Sequence, residues 1–172
     1  MTKQKPGATP LEAEAIRVTG TVQGVGFRPT IWRLAHVYDL RGAVWNDAEG
    51  VLIHAWGQRE SLDDFLRALR SESPPLARID HIERLWLEPV APPHSFEIRE
   101  SQDGRVSTDV AADAATCPEC LAEVLSAVNR RYRYPFTNCT HCGPRLSIVR
   151  AIPYDRSNTS MSGFPMCSAC AG

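Results

Sequence analysis

Apolar and polar positions along the 172-residue chain change period in an orderly way. Ala13 to Thr21 alternates and carries β-branched Ile16, Val18 and Thr21, which predicts a strand. From Pro29 the apolar positions Ile31, Leu34, Ala35 and Tyr38 recur at three and four residues. That spacing predicts a helix with Pro29 in its first turn and Gly42 as its stop. Ala43 to Asp47 and Val51 to Trp56 read as two strands joined by a tight turn at Asp47-Ala48-Glu49-Gly50, a hairpin. Ser61 followed by Asp64 resembles a capping box, and Leu62, Phe65, Leu66 and Leu69 line one face of the helix it opens, which Pro74-Pro75 ends. Ile79 to Glu88 and Phe96 to Arg99 predict further strands on either side of the proline-rich turn Pro89 to Pro93.

The resulting order, β-α-β-β-α-β with a short extra strand, is that of an α+β, ferredoxin-like fold, an antiparallel sheet with two helices on one face. Such a fold supports many unrelated functions. Composition adds a second unit, because all six cysteines fall after residue 116. The expected organisation is a disordered N-terminus at 1–12, a first domain at 13–100, a linker at 101–110 around the polar Ser-Gln-Asp-Gly-Arg-Val-Ser, and a Cys-rich region at 111–172. A hydrophobic fraction of 43% and a net charge of -1 suit a soluble globular protein. No apolar run approaches the roughly eighteen residues that span a bilayer, and the polar N-terminus lacks a secretory signal, so the expected compartment is the cytoplasm, with no membrane partner.

The stretch Thr-Val-Gln-Gly-Val-Gly-Phe-Arg-Pro, 21 to 29, joins the first strand to the first helix. Glycines let a backbone turn sharply so that successive N–H groups face one concavity, and the following helix adds the positive end of its dipole. Arg28 can offer two parallel donors to a phosphate. A dinucleotide fingerprint is excluded because Pro29 occupies the place of its third glycine, and a P-loop because Gly-Lys-Ser/Thr is absent. Taken alone, the stretch is equally compatible with a purely structural turn.

Cys117-Pro-Glu-Cys120, Cys139-Thr-His-Cys142 and Cys167-Ser-Ala-Cys170 are three C-x-x-C pairs, with 18 and then 24 intervening residues. The first spacing suits a four-cysteine zinc finger at 117–142, in which the thiolates close the coordination sphere and the metal has a folding role. Cys167 and Cys170 would begin a second, truncated site. A crossed scheme joining Cys117 and Cys120 to Cys167 and Cys170 remains open, as does His141 in place of one ligand.

The run Gly20-x-Val22-Gln23-Gly24-Val25-x-Phe27-Arg28, then Leu40-x-Gly42, Val44-x-Asn46 and Gly50-Val51, resembles the acylphosphatase signature. That resemblance implies an acylphosphatase sandwich in which Gln23, Gly24, Val25, Gly26 and Phe27 cradle a phosphate with Arg28, while Asn46 orients the attacking water. Such chemistry is largely positioning and charge stabilisation. Gly26 departs from the bulkier residue common in that family, which suggests a more mobile loop, and Glu49 stands in place of Asp.

With the cysteine pairs behind it, and with Arg131-Tyr132-Arg133-Tyr134-Pro135-Phe136-Thr137-Asn138-Cys139, Cys142-Gly143-Pro144-Arg145, Pro153-Tyr154-Asp155-Arg156 and Phe164-Pro165-Met166-Cys167, the chain resembles the N-terminal part of the HypF carbamoyltransferases of [NiFe]-hydrogenase maturation. The resemblance implies an enzyme that hydrolyses carbamoyl phosphate to carbamate and phosphate. It also implies ATP-dependent chemistry in further domains and a HypE-type partner that receives the carbamoyl group for cyanide-ligand synthesis. Two rival readings accompany it. Five arginines and no acid between Val124 and Tyr154, interleaved with aromatics, suit a nucleic-acid-binding module, although a solvated arginine face is the simpler account. A catalytically silent acylphosphatase fold that serves interaction is the other.

Overall fold

The structure, a computed structural model, describes residues 11–88, 91–102, 109–165 and 167–171, apart from the side chains of residues 170 and 171. Most of the expected tail at 1–12, the middle of the expected linker, residues 89 and 90 of the proline-rich turn, and the side chain of Cys170 lie outside the described residues.

Five strands form one sheet: β1 (Glu12–Thr21), β2 (Arg41–Asp47), β3 (Gly50–Gly57), β4 (Arg78–Trp86) and β5 (Phe96–Ile98), in the order β4-β1-β3-β2-β5. β1 pairs antiparallel with both β3 and β4, and β2 with β3. The sheet departs from a wholly antiparallel one at its edge, where β5 pairs parallel with β2 from Gly42 to Val44. The chain reaches that edge from β4 on the opposite side of the sheet, so it enters β5 in the direction of β2.

Helices α1 (Phe27–Val37) and α2 (Arg59–Ser71) pack on the sheet and on each other. Ile16 and Val18 of β1, Val44 of β2 and Val51 and Ile53 of β3 are fully buried beside Ile31 and Leu34 of α1 and Leu62, Phe65 and Leu69 of α2. Each large apolar side chain so buried stabilises the fold by about 1.5–3 kcal/mol relative to exposure. Glu14 brings a carboxylate into this interior. Its side chain is 2% exposed and accepts from Nε and Nη2 of Arg84 on β4, both at 2.7 Å, so the ion pair fastens β1 to β4.

Element boundaries shift where caps were inferred. α1 begins at Phe27, two residues before Pro29, which places Arg28 inside its first turn. Its end is set by Asp39, left-handed at φ 52°, while the expected stop, Gly42, belongs to β2. α2 begins at Arg59 after Gln58 with no side-chain cap, so the capping box expected at Ser61 does not form.

Beyond the sheet, α3 (Pro118–Leu125) starts at the first cysteine pair with Pro118 in its first turn. The remainder holds two short 3-10 turns, Arg156–Asn158 and Ser160–Gly163, and a helical turn at Ser168–Ala171. Isolated bridges Gln23↔Val110 and Ala114↔Gly143 tie this region back to the sheet and to itself.

Candidate active site and metal centre

The glycine loop turns because Gly24 and Gly26 adopt φ of 71° and 79°, a backbone that side-chain-bearing residues rarely occupy. Gly26 is the N-cap of α1, and no side chain caps the helix there. The first N–H groups of α1 are therefore left for an anion. Arg28 stands over this end. With its amide oriented so that oxygen faces the guanidinium, Asn46 accepts from Nε and Nη2 of Arg28 at 3.2 Å each. Asn46 is buried on β2, and its carbonyl also accepts from the N–H of Gln102.

Arg28 and Asn46 thus share one wall of a cavity of about 470 Å³, with Gly24, Gly26 and Phe27 beside them. Gln23 and Val25 take another position. Val25 is fully buried in the core, and the buried Gln23 amide donates to the carbonyls of Asp47 and Gly50 at 2.7 and 2.8 Å. Their side chains hold the loop against the hairpin, leaving only their backbone to face a ligand.

The opposite wall comes from the Cys-rich region. Tyr154, Asp155, Arg156 and Thr140 complete the cavity lining. Nη2 of Arg28 donates to Asp155 Oδ1 at 2.7 Å and Nη1 to Ser101 Oγ at 3.2 Å. A carboxylate of the chain itself therefore lies on the fork that is suited to a phosphate. The N–H of Tyr154 donates to Gln23 Oε1 at 2.9 Å, and its ring lies 3.0 Å from where a Cβ on Gly24 would project. A Cβ on Gly26 would stand 2.9 Å from Thr140 Cβ. This close approach gives the loop's second glycine a steric reason that the sequence alone does not supply.

Sγ atoms of Cys117, Cys120, Cys139 and Cys142 all lie within 4.8 Å of one another. Cys117 and Cys139 stand 3.7 Å apart, and Cys139 and Cys142 3.9 Å. Four thiolates at ~2.3 Å around a tetrahedral zinc would be ~3.8 Å apart, so the donor set fits that ion. Burial pushes the Cys120 thiol up. Zinc would supply a positive charge and a fixed geometry. Among the described residues, neither the His141 ring nor Cys167 joins the group; His141 contributes its backbone N–H, which donates to Cys139 Sγ at 3.3 Å. The four cysteines of the first two pairs are gathered, as the consecutive scheme expects.

The arginine-rich stretch is not one free basic face. Arg131 pairs with Glu123, and Arg145 is 2% exposed. Two of the five cations are therefore already engaged, Arg131 by an acid at the surface and Arg145 in the interior.

Comparison with known proteins bears on both halves. The Acylphosphatase family model matches residues 14–98 and the HypF finger model residues 116–149. The acylphosphatase of Listeria monocytogenes serotype 4b is 42% identical over 84 residues, 48% of this chain and 90% of that protein. Carbamoyltransferase HypF of Rhodobacter capsulatus is 52% identical over 160 residues, 93% of this chain and 21% of that protein. A crystal structure of full-length HypF in the phosphate- and nucleotide-bound form matches 97% of this chain and 22% of its own, with a TM-score of 0.93 and 40% identity. The chain belongs to the HypF family. It spans about a fifth of the length of the HypF relatives it matches.

Family membership accounts for the order of the two modules, an acylphosphatase-type enzyme domain followed by a HypF finger. It does not by itself reveal how they meet. Ser101, Thr140, Arg145, Tyr154 and Asp155 reach the loop from far along the chain, and sequence reasoning assigned none of them to the site. The available signals were Cys142-Gly143-Pro144-Arg145 and Asp155, the first acid after the acid-free stretch.

Proposed function

We propose that this chain hydrolyses an acyl phosphate, most simply carbamoyl phosphate, to carbamate and phosphate, as the entry step of carbamoyl transfer. The observation that carries this reading is the contact of the Arg28 guanidinium with the Asn46 amide in a cavity at the uncapped start of α1. The phosphate would take the N–H groups of the loop from Gln23 to Phe27 and the fork of Arg28, displacing Asp155. Asn46 would orient a water in line with the acyl oxygen. The water oxygen bonds to phosphorus, the P–O bond to the carbamoyl group breaks with its electron pair leaving on carbamate, and the water proton passes to solvent. Positioning and charge stabilisation carry the catalysis.

The surrounding assignment follows from the same reading. Residues 13–100 form the hydrolase domain and 111–172 the finger region, with structural zinc at Cys117, Cys120, Cys139 and Cys142, and with Cys167 and Cys170 assigned to a second site. ATP would serve other domains of a longer HypF protein, and a HypE-type maturation protein would receive the carbamoyl group. Among the described residues no helix is long and apolar enough to cross a membrane. Thiolates kept for metal suit a reducing compartment, which favours the cytoplasm.

Steady-state phosphate release from carbamoyl phosphate tests this site. Arg28→Ala is expected to reduce kcat/KM by about a thousandfold or more, and Asn46→Ala by about a hundredfold. Unchanged rates in either variant would reject its assigned role.

A further inference from the structure

Arg145 makes a set of contacts that neither the hydrolytic reading nor the metal site requires. Its Nε donates to the carbonyl of Gly24 at 2.8 Å, in the glycine loop. Its Nη1 donates to the carbonyl of Gly143 at 3.0 Å, and its Nη2 to those of Cys139 and Thr140 at 3.3 and 2.5 Å. The side chain is buried and bonded to four carbonyls, three of them in or next to the turn carrying the second cysteine pair. Asp113 fixes the strut's own backbone by accepting from the N–H of Arg145 at 2.6 Å and of Ser147 at 3.1 Å.

We propose that Arg145 is a positioning residue that sets the Gly24–Val25 peptide for phosphate, so that metal occupancy of the finger controls the affinity of the glycine loop. In a trans peptide the C=O and the following N–H point in opposite directions. Holding the Gly24 carbonyl on Arg145 therefore fixes the Val25 N–H in the direction opposite to that guanidinium. Glycine at 24, with φ 71°, imposes little barrier to turning that peptide over. Without the guanidinium, the carbonyl is free to face the anion in place of the N–H, a reversal from donor to acceptor. The three other carbonyls are ordered by the turn whose thiolates grip the ion, so losing the metal dismantles the far end of the strut. A zinc centre with four thiolate ligands carries two net negative charges, which further favours a buried cation against its turn.

This inference rests on the loop being a phosphate site, and its test reads the loop and the ligand separately. Amide hydrogen exchange of residues 22–28 is followed in the wild-type chain with zinc, after zinc is stripped by chelation, and in Arg145→Lys and Arg145→Gln. Metal content is measured alongside, and inorganic phosphate is titrated in each sample. Stripping zinc is expected to speed loop exchange while β1 and β3 keep their protection. Both variants are expected to retain the four-cysteine metal, weaken phosphate by about tenfold and lose the phosphate-induced shift of the Val25 amide resonance. Loop exchange unchanged by stripping or by substitution overturns the strut, as does loss of protection in the sheet together with the loop. A loop that loosens as expected in a wild-type chain that does not bind phosphate upholds the strut and rejects the phosphate site.

Discussion

At the scale of single residues, the proposed site centres on one guanidinium. Asp155 holds Nη2 of Arg28, and both side chains are partly exposed, so the pair is screened and contributes within the range of surface ion pairs. Asp155→Asn removes the internal anion while keeping a similar shape. Its expected effect is a two- to fivefold tighter inorganic phosphate affinity, read by titration calorimetry; weaker binding would mean that Asp155 serves the ligand instead of competing with it. Gly26 presents a second constraint. Gly26→Ala adds a Cβ at φ 79° against Thr140, and left-handed backbone alone costs about 1–2 kcal/mol. Thermal unfolding is expected to show a loss of at least that size, partly restored by Thr140→Gly. No restoration would place the whole cost in the backbone. Arg28 was nominated in the sequence by the strand-loop-helix it sits in, and Asn46 only through the resemblance to the acylphosphatase signature. Asp155 was not, because its approach to Arg28 depends on how the finger docks.

Elements place these residues and depend on a few long-range ties. Arg84 on β4 holds the carboxylate of Glu14, which is almost wholly buried on β1. Arg84→Met leaves that charge without its partner, and chemical denaturation is expected to show a loss of about 3–5 kcal/mol. Replacing both residues, Glu14→Leu with Arg84→Met, is expected to recover most of it. A single variant as stable as the wild type would contradict the tie. In the finger region, the N–H of Arg145 and then Ser147 hold the Asp113 carboxyl below its usual range. A carboxyl depressed on folding adds stability that is full above its unfolded pKa of ~3.9 and is lost as pH falls through the lower folded value. Asp113→Ala should therefore lose that contribution near neutral pH and show a shallower acid limb below pH ~4 in near-ultraviolet circular dichroism. An unchanged limb would remove Asp113 from the account. Both helices of the sheet domain were readable from periodicity, since one face of each is buried, whereas β2 is buried on both faces and β4 holds no fully buried residue. Helix starts were less so, because neither α1 nor α2 uses the side-chain cap by which a start is recognised.

Over the whole molecule, two modules with separate sequence signatures build one cavity. The cysteine spacing predicted a metal centre whose role ends with folding. The contacts of Thr140, Arg145, Tyr154 and Asp155 join the region that carries it to the loop. This joining was illegible in the sequence because C-x-x-C spacing specifies a turn and a metal but not the surface that the turn packs on. It also recasts Gly26, whose small size fits a loop overlaid by Thr140 better than one left mobile. The central claim is that a water oriented by Asn46 attacks the phosphorus of an acyl phosphate held by Arg28. Hydrolysis of carbamoyl phosphate in 18O-labelled water, with the phosphate product read by mass spectrometry, tests it most directly. The account predicts one solvent oxygen in each phosphate released by the wild-type chain, and release by Arg28→Ala lower by about a thousandfold or more. Phosphate free of label would place the cleavage at the carbon–oxygen bond and contradict it.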